Sequence, residues 1–188
     1  SAMASGGAIG LSILTEPKHF NGSLDNLIRV RKTVKLPLLM KDFILSSTQL
    51  DAAARTGANV VLLIHALFER GYCDMDLDDM IAEAHAKNLE VLLETHSMHE
   101  FKNAITTNAD LIGINNRDLG TLKIDLNVTK DILSQIKCDD TPFVSESGIN
   151  NPEDIHFLRT YGAKAFLIGS AIMQAKNIRE KVRELVNA

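Results

Sequence analysis

The chain has no tryptophan, two tyrosines and two cysteines among its 188 residues. Cys73 and Cys138 lie far apart, and neither has a His or Cys at metal-ligand spacing, which argues against a disulfide framework and a cysteine-based zinc site. Two reduced thiols fit a cytoplasmic compartment. Long apolar runs are missing as well. No stretch approaches the roughly 20 residues needed to span a bilayer, and the start has neither the charged flank nor the apolar core of a signal peptide. Nor is there an excess of either charge. A net charge of −4 with no dense run of Lys or Arg disfavours nucleic acid or an anionic membrane as partner, while leaving room for a pocket that holds one anion. The partner expected from these absences is a small molecule.

What is present is a 45% hydrophobic chain, enough for a single domain over residues 1–188 with a substantial core. No linker, low-complexity tract or composition break divides it; residues 1–4 read as a tag scar or a linker that runs almost directly into a strand. Seven short apolar runs recur: Ala8–Thr15, Pro37–Ile44, Asn59–Ala66, Glu90–His96, Leu111–Asn116, Pro142–Ile149 and Ala163–Ser170. They suit strands covered on both faces, as in a parallel sheet. Between them helical periodicity predicts helices over Leu24–Thr33, Ser47–Thr56, Asp76–Ala86, Met98–Thr106, Asn127–Gln135, Pro152–Tyr161 and Asn177–Val186. Ser23, Ser97 and Asn151-Pro152 supply helix starts, and Gly57, Gly162 and Asn88 supply left-handed helix ends. The alternation predicts an α/β fold of the TIM (β/α)8 type with seven of the eight units visible. An open doubly wound sheet is the competing layout.

In a barrel the chemistry gathers at the carboxyl ends of the strands. Lys41 ends the run Leu36–Met40, where a partly desolvated ammonium with a lowered pKa could act as a general acid; the plainer alternative is a rim pair with Asp42. Glu94 ends Val91-Leu92-Leu93 and must be paired or used, either as the acid/base partner of such a lysine or in a structural ion pair. Asn115, Arg117 and Asp118 offer amide, guanidinium and carboxylate groups to an oxygen-rich anionic substrate, or else simple turn chemistry. Ser145-Glu146-Ser147-Gly148 and Gly169-Ser170 end the last two runs, where barrels place a phosphate. The histidines share no metal spacing, His96 and His99 included, and no metal site is expected. Met75, Met80 and Phe101 read as helix packing.

Leu14-Thr15-Glu16-Pro17-Lys18-His19-Phe20-Asn21-Gly22-Ser23, Met40-Lys41-Asp42-Phe43-Ile44, Gly113-Ile114-Asn115-Asn116-Arg117-Asp118-Leu119 and Ser145-Glu146-Ser147-Gly148-Ile149 together resemble the indole-3-glycerol-phosphate synthases, in order from about Ser5 to the C-terminus. The resemblance implies a cytoplasmic, phosphate-binding barrel of tryptophan biosynthesis that uses no metal or organic cofactor. The implied reaction is ring closure with decarboxylation and dehydration of 1-(2-carboxyphenylamino)-1-deoxyribulose 5-phosphate. It implies Lys41 as general acid, Glu94 as base or charge stabiliser, and Asn115 as an orienting catalytic group. Arg117, Glu146, Ser147, Phe20 and Leu62 would contact the substrate, and Gly148, Gly169 and Ser170 its phosphate. Family members carry a further helix and a first strand and helix before the present Ala8, with a Glu-x-Lys motif on that strand. Nothing before Ser5 corresponds to it, and Glu16 and Lys18 do not inherit its roles. A seven-unit barrel is expected to self-associate across its gap or to be less stable than a closed one. The alternatives are a noncatalytic phosphate-binding fragment and another phosphate-binding barrel enzyme, such as a sugar-phosphate isomerase.

Overall fold

The computed structural model describes residues 1–136 and 141–188; Cys138 lies outside the described residues. Seven strands form one parallel sheet in chain order: β1 (Leu11–Leu14), β2 (Leu38–Lys41), β3 (Val60–Ile64), β4 (Glu90–Thr95), β5 (Leu111–Asn115), β6 (Phe143–Glu146) and β7 (Ala165–Leu167). A doubly wound sheet reverses its strand order part-way, and this one does not. Crossovers of one hand between successive neighbours put the connecting helices on one face, so the sheet curls into an incomplete barrel. β1 and β7 each pair on one side only.

Side-chain alternation divides the interior into two layers. Leu38, Met40, Val61, Leu63, Val91, Leu93, Ile112, Ile114 and Phe143 pack outward against the helices, in one core with Leu27, Leu50, Met80, Phe101 and Leu158. Val60, Leu62, Ile64, Leu92 and Val144 face inward as a second cluster, with Leu39, Phe43, Leu111, Ala165 and Leu167 packed on it. A central strand such as β3 is therefore buried at all its positions, whereas β7 is only half-buried.

The helices that carry the crossovers begin and end where the sequence signals them. They are α2 (Leu24–Arg31), α3 (Ser47–Thr56), α5 (Leu77–Ala86), α6 (Met98–Ala104), α7 (Asn127–Leu133), α8 (Pro152–Thr160) and α10 (Ile178–Val186). Ser23 and Ser97 accept from the backbone amides of Asn26 and Glu100 at the starts of α2 and α6. Asn151 and Asp154 form a reciprocal capping box ahead of Pro152. Gly57, Asn88 and Gly162 all adopt left-handed backbone after helices.

Three helices depart from the sequence expectation. α1 (Ala2–Gly6) occupies residues read as a tag scar or linker and the short lead into the first strand; it lies against α10, so closely that a Cβ on Gly6 would sit 2.7 Å from Val182 Cβ. α4 (His65–Glu69) takes over where the third run was expected to continue as strand, because His65-Ala66-Leu67-Phe68-Glu69 can wind as soon as Ile64 leaves the ladder. α9 (Ser170–Met173) is a single turn after Gly169. Among the described residues no helix is long and apolar enough to cross a membrane.

Candidate active site

The inward-facing positions turn polar at the carboxyl ends of the strands. Lys41 follows inward Leu39 on β2, Glu94 follows Leu92 on β4, Asn115 follows Gly113 on β5, and Glu146 follows Val144 on β6. They converge. Lys41 Nζ donates to Glu94 Oε2 at 3.2 Å and stands 3.6 Å from Glu146 Oε2. Asn115 Nδ2 donates to the other oxygen of Glu94, Oε1, at 3.0 Å. Both carboxyl groups are almost fully buried, with side-chain exposures of 3% for Glu94 and 2% for Glu146, while Lys41 keeps 18%.

Gly113 makes this convergence possible. A Cβ there would collide with Glu146 Oε1 and would sit 3.4 Å from the Glu94 Cα, so the missing side chain provides the space for a carboxyl group. Behind the sheet a buried network fixes the end of β6. Asn116 Nδ2 donates to Ser145 Oγ and to the carbonyls of Glu146 and Ser147, and its Oδ1 accepts from the backbone and hydroxyl of Thr129 on α7. The next two residues, Ser147 and Gly148, both take positive φ, at 65° and 85°. For Ser147 that conformation is uncommon and is sustained by this network.

The electrostatics separate the two carboxyl groups. Burial would raise Glu94, but His96, Lys41 and Asn115 outweigh it and hold the group well below the usual carboxylate range. Burial pushes Glu146 up to about 8, and the charge of Glu94 adds to the rise. Among the described residues neither oxygen of Glu146 has a hydrogen-bond partner. Glu94 is thus ionised near neutral pH, and Glu146 mostly carries a proton. Burial alone would lower Lys41, as the sequence suggested, but at the alkaline pH where an ammonium titrates Glu146 and Glu94 are both carboxylates, and they reverse the sign and raise it. The expectation of a lysine with a lowered pKa is therefore corrected: the ammonium is stabilised by the pair it bridges.

The arrangement offers a substrate one ammonium donor, one carboxylate acceptor and one carboxylic acid within a few ångströms. Among the described residues no group of three or more His, Cys, Asp or Glu is placed to hold a metal ion. Residues 1–185 match the model of the indole-3-glycerol phosphate synthase family. The chain belongs to that family. Indole-3-glycerol phosphate synthase of Methanocaldococcus jannaschii is 47% identical to it over 98% of this chain and 66% of the relative. The enzymes of Haloarcula marismortui and Aquifex aeolicus are 43% and 42% identical over 99% and 96% of this chain, covering 68% and 69% of those proteins. The chain therefore spans about two thirds of the length of the curated relatives it matches. Among solved structures, thiamine phosphate pyrophosphorylase from Pyrococcus furiosus superposes with a TM-score of 0.71 at 18% identity, covering 99% of this chain and 85% of that one. An N-acetylmannosamine-6-phosphate 2-epimerase from Clostridium perfringens gives 0.68 at 16% identity, over 90% of this chain and 76% of its own. These two likenesses carry the fold.

The remaining candidates of this family member lie around the cluster at different distances from its chemistry. Leu62 is buried in the inner apolar layer, and Phe20 packs on Phe43 with ring centroids 5.0 Å apart. Arg117 follows β5, where its guanidinium donates to the Leu122 carbonyl and its backbone N–H donates to Asn115 Oδ1; it thereby holds the Asn115 amide. Gly148 closes β6 in the left-handed region, and Gly169 and Ser170 lie exposed at the head of α9. None of these three contacts the lysine–carboxylate cluster directly. Asp42 is not the partner of Lys41: it accepts from Thr15 Oγ1 and Phe43 N, tying the ends of β1 and β2 together. Glu16 accepts from the amides of Lys18, His19 and Phe20 and so shapes its own loop. A cavity of about 700 Å³ opens beside this loop, lined by Thr15, Asp42, Phe43 and Gln49 among others, and it includes none of Lys41, Glu94 or Glu146.

Proposed function

We propose that the protein catalyses the reaction for which its family is named, converting 1-(2-carboxyphenylamino)-1-deoxyribulose 5-phosphate into indole-3-glycerol phosphate, carbon dioxide and water, in the cytoplasm. The observation that carries the reading is the Lys41 ammonium set 3.2 Å and 3.6 Å from the buried carboxyl groups of Glu94 and Glu146. Ring closure requires the aromatic carbon bearing the carboxylate to attack the ketone carbon. The ketone oxygen then gains a proton, for which Lys41 is the donor in reach. Loss of the carboxyl group as carbon dioxide returns its electron pair to the ring. A second protonation releases the new hydroxyl as water, and removal of a proton from the neighbouring carbon forms the double bond that makes the closed five-membered ring aromatic. Glu94, kept ionised, is suited to accept that proton and to offset positive charge developing on the nitrogen.

Asn115 orients Glu94 through the bond to Oε1, and Arg117 and Ser147 offer donors to the substrate's polar groups. Among the described residues neither oxygen of Glu146 has a hydrogen-bond partner, only the longer ion pair with Lys41, as expected of a group whose hydrogen-bond partner is the substrate. Phe20 and Leu62 supply apolar surface for the aromatic ring. Gly148, Gly169 and Ser170 supply backbone and hydroxyl donors for the phosphate at the ends of β6 and β7. The test is formation of indole-3-glycerol phosphate by this chain, followed by indole fluorescence with Lys41→Ala as control. Product that disappears in the variant supports the reading. No product, with a phosphate ligand still bound, overturns it in favour of a noncatalytic cradle.

A further inference from the structure

His96 is two residues beyond Glu94 and shares its face, yet neither the sequence pattern nor the proposed reaction gives it a task. Its side chain is 8% exposed, and its two ring nitrogens each face a carboxylate: Nε2 is 3.1 Å from Glu94 Oε1 and Nδ1 is 3.5 Å from Glu100 Oε2. Both contacts are at ion-pair distance without the alignment of a directed hydrogen bond. Glu100 is itself held, because its Oε2 accepts from the backbone N–H of His96 at 2.9 Å and its own N–H is capped by Ser97 at the start of α6. A neutral imidazole has one N–H and would turn a lone pair towards one of the two carboxylates, whereas an imidazolium satisfies both.

We propose that His96 is a positioning residue: held as an imidazolium by Glu100, it pins Oε1 of Glu94 together with Asn115, so that Oε2 is left to Lys41. The inference rests on the proposed reaction for its catalytic consequence, but not for its geometry. Glu94 on β4 and Glu100 on α6 face the ring, Asn115 on β5 and Lys41 on β2 reach it through Glu94, and Glu146 on β6 feels its charge. His65 at the start of α4 and Asp118 after β5 act on it or its partners at longer range. Burial pulls the imidazole down, but Glu100 and Glu94 outweigh it and lift it to about 9.

The sign follows for stability as well. A histidine with a raised folded pKa contributes stability that is fully present below about 6.5 and lost as pH rises through about 9. The experiment has two arms on the intact chain. In the first, proton–nitrogen NMR of the histidine rings follows His96 from pH 5.5 to 9.5 in the wild type and in Glu100→Gln. A ring still charged at pH 8, whose midpoint falls in Glu100→Gln, is the expected result; titration near the ordinary 6.5 overturns the proposal whatever the enzyme does. In the second, His96→Gln keeps a donor but loses the charge, and kcat is expected to fall about 10- to 100-fold with KM little changed. An unchanged kcat overturns the catalytic part. If the wild type itself does not turn over, the reaction reading fails and the ring titration still decides the positioning.

Discussion

Replacing Glu146 by Gln is expected to stabilise the protein at alkaline pH while removing its activity. In the folded chain the Glu146 carboxyl is buried between Glu94 and Lys41, and its pKa rises from an ordinary 4.5 to about 8. A carboxyl with a raised folded pKa holds its proton more tightly folded than unfolded. Its contribution is therefore fully present below about 4.5 and lost as pH rises through about 8. At about 1.4 kcal/mol per tenfold change in proton affinity, the loss amounts to about 3 kcal/mol between pH 4.5 and 7 and about 5 kcal/mol by pH 9, as order-of-magnitude figures. Gln matches the protonated acid in shape and never ionises, so Glu146→Gln keeps what the wild type loses. Urea denaturation at pH 5.5, 7, 8 and 9 should give curves about 1 kcal/mol apart at the acid end that separate by several kcal/mol at the alkaline end, the variant being the more stable. His96 weakens with pH over a similar window in both proteins, so the difference between the curves reports Glu146 together with its coupling to Glu94 and Lys41. Parallel curves for the two proteins would refute the claim that this carboxyl holds a proton in the fold.

Gly113→Ala should cost about 1–3 kcal/mol in denaturant unfolding and depress turnover, because its Cβ meets Glu146 Oε1 in a packed interior; a variant with wild-type stability and rate would remove Gly113 from the account. Asn151→Ala breaks the capping box of α8 and should cost about 1 kcal/mol, seen as a Tm lower by about 2–4 °C, with no fall expected if the cap is idle. The unpaired edges of β1 and β7, with Leu14 42% exposed on the first, are expected to drive concentration-dependent association in sedimentation; a monomer of ordinary high stability at all concentrations would contradict this.

Much of the fold was legible in the sequence because each unit shows an apolar run followed by helical periodicity, and three of the helices carry a cap signal that the structure uses, at Ser23, Ser97 and Asn151. The edges of elements were less so: His65 through Glu69 is an apolar continuation of β3 by composition, and only the loss of ladder partners after Ile64 turns it into α4. In the site, Lys41 and Glu94 stood out as charges where strands end, and they meet. The sign of the lysine's perturbation was not legible, since desolvation can be read from a sequence but the number of facing carboxylates cannot. Gly113 had a usable signal, a glycine inside an apolar strand, which marks close approach. His96 was weighed only as a metal ligand, although its spacing from Glu94 and Glu100, two and four residues, already places it between two acids across a strand end and a helix turn. The network of Asn116, Thr129 and Ser145 joins residues that share no local pattern, and only the folded chain brings them together.

The central claim is that one lysine serves two unlike carboxyl groups, one ionised and one holding a proton. Carbon-13 NMR of glutamate side-chain carboxyls across pH 3 to 10, assigned with Glu94→Gln and Glu146→Gln, tests it most directly. The account predicts one glutamate that titrates near 8, assigned to Glu146, and one that remains ionised to the acid limit, assigned to Glu94. Two carboxyl groups titrating together near the ordinary 4.5 would contradict it.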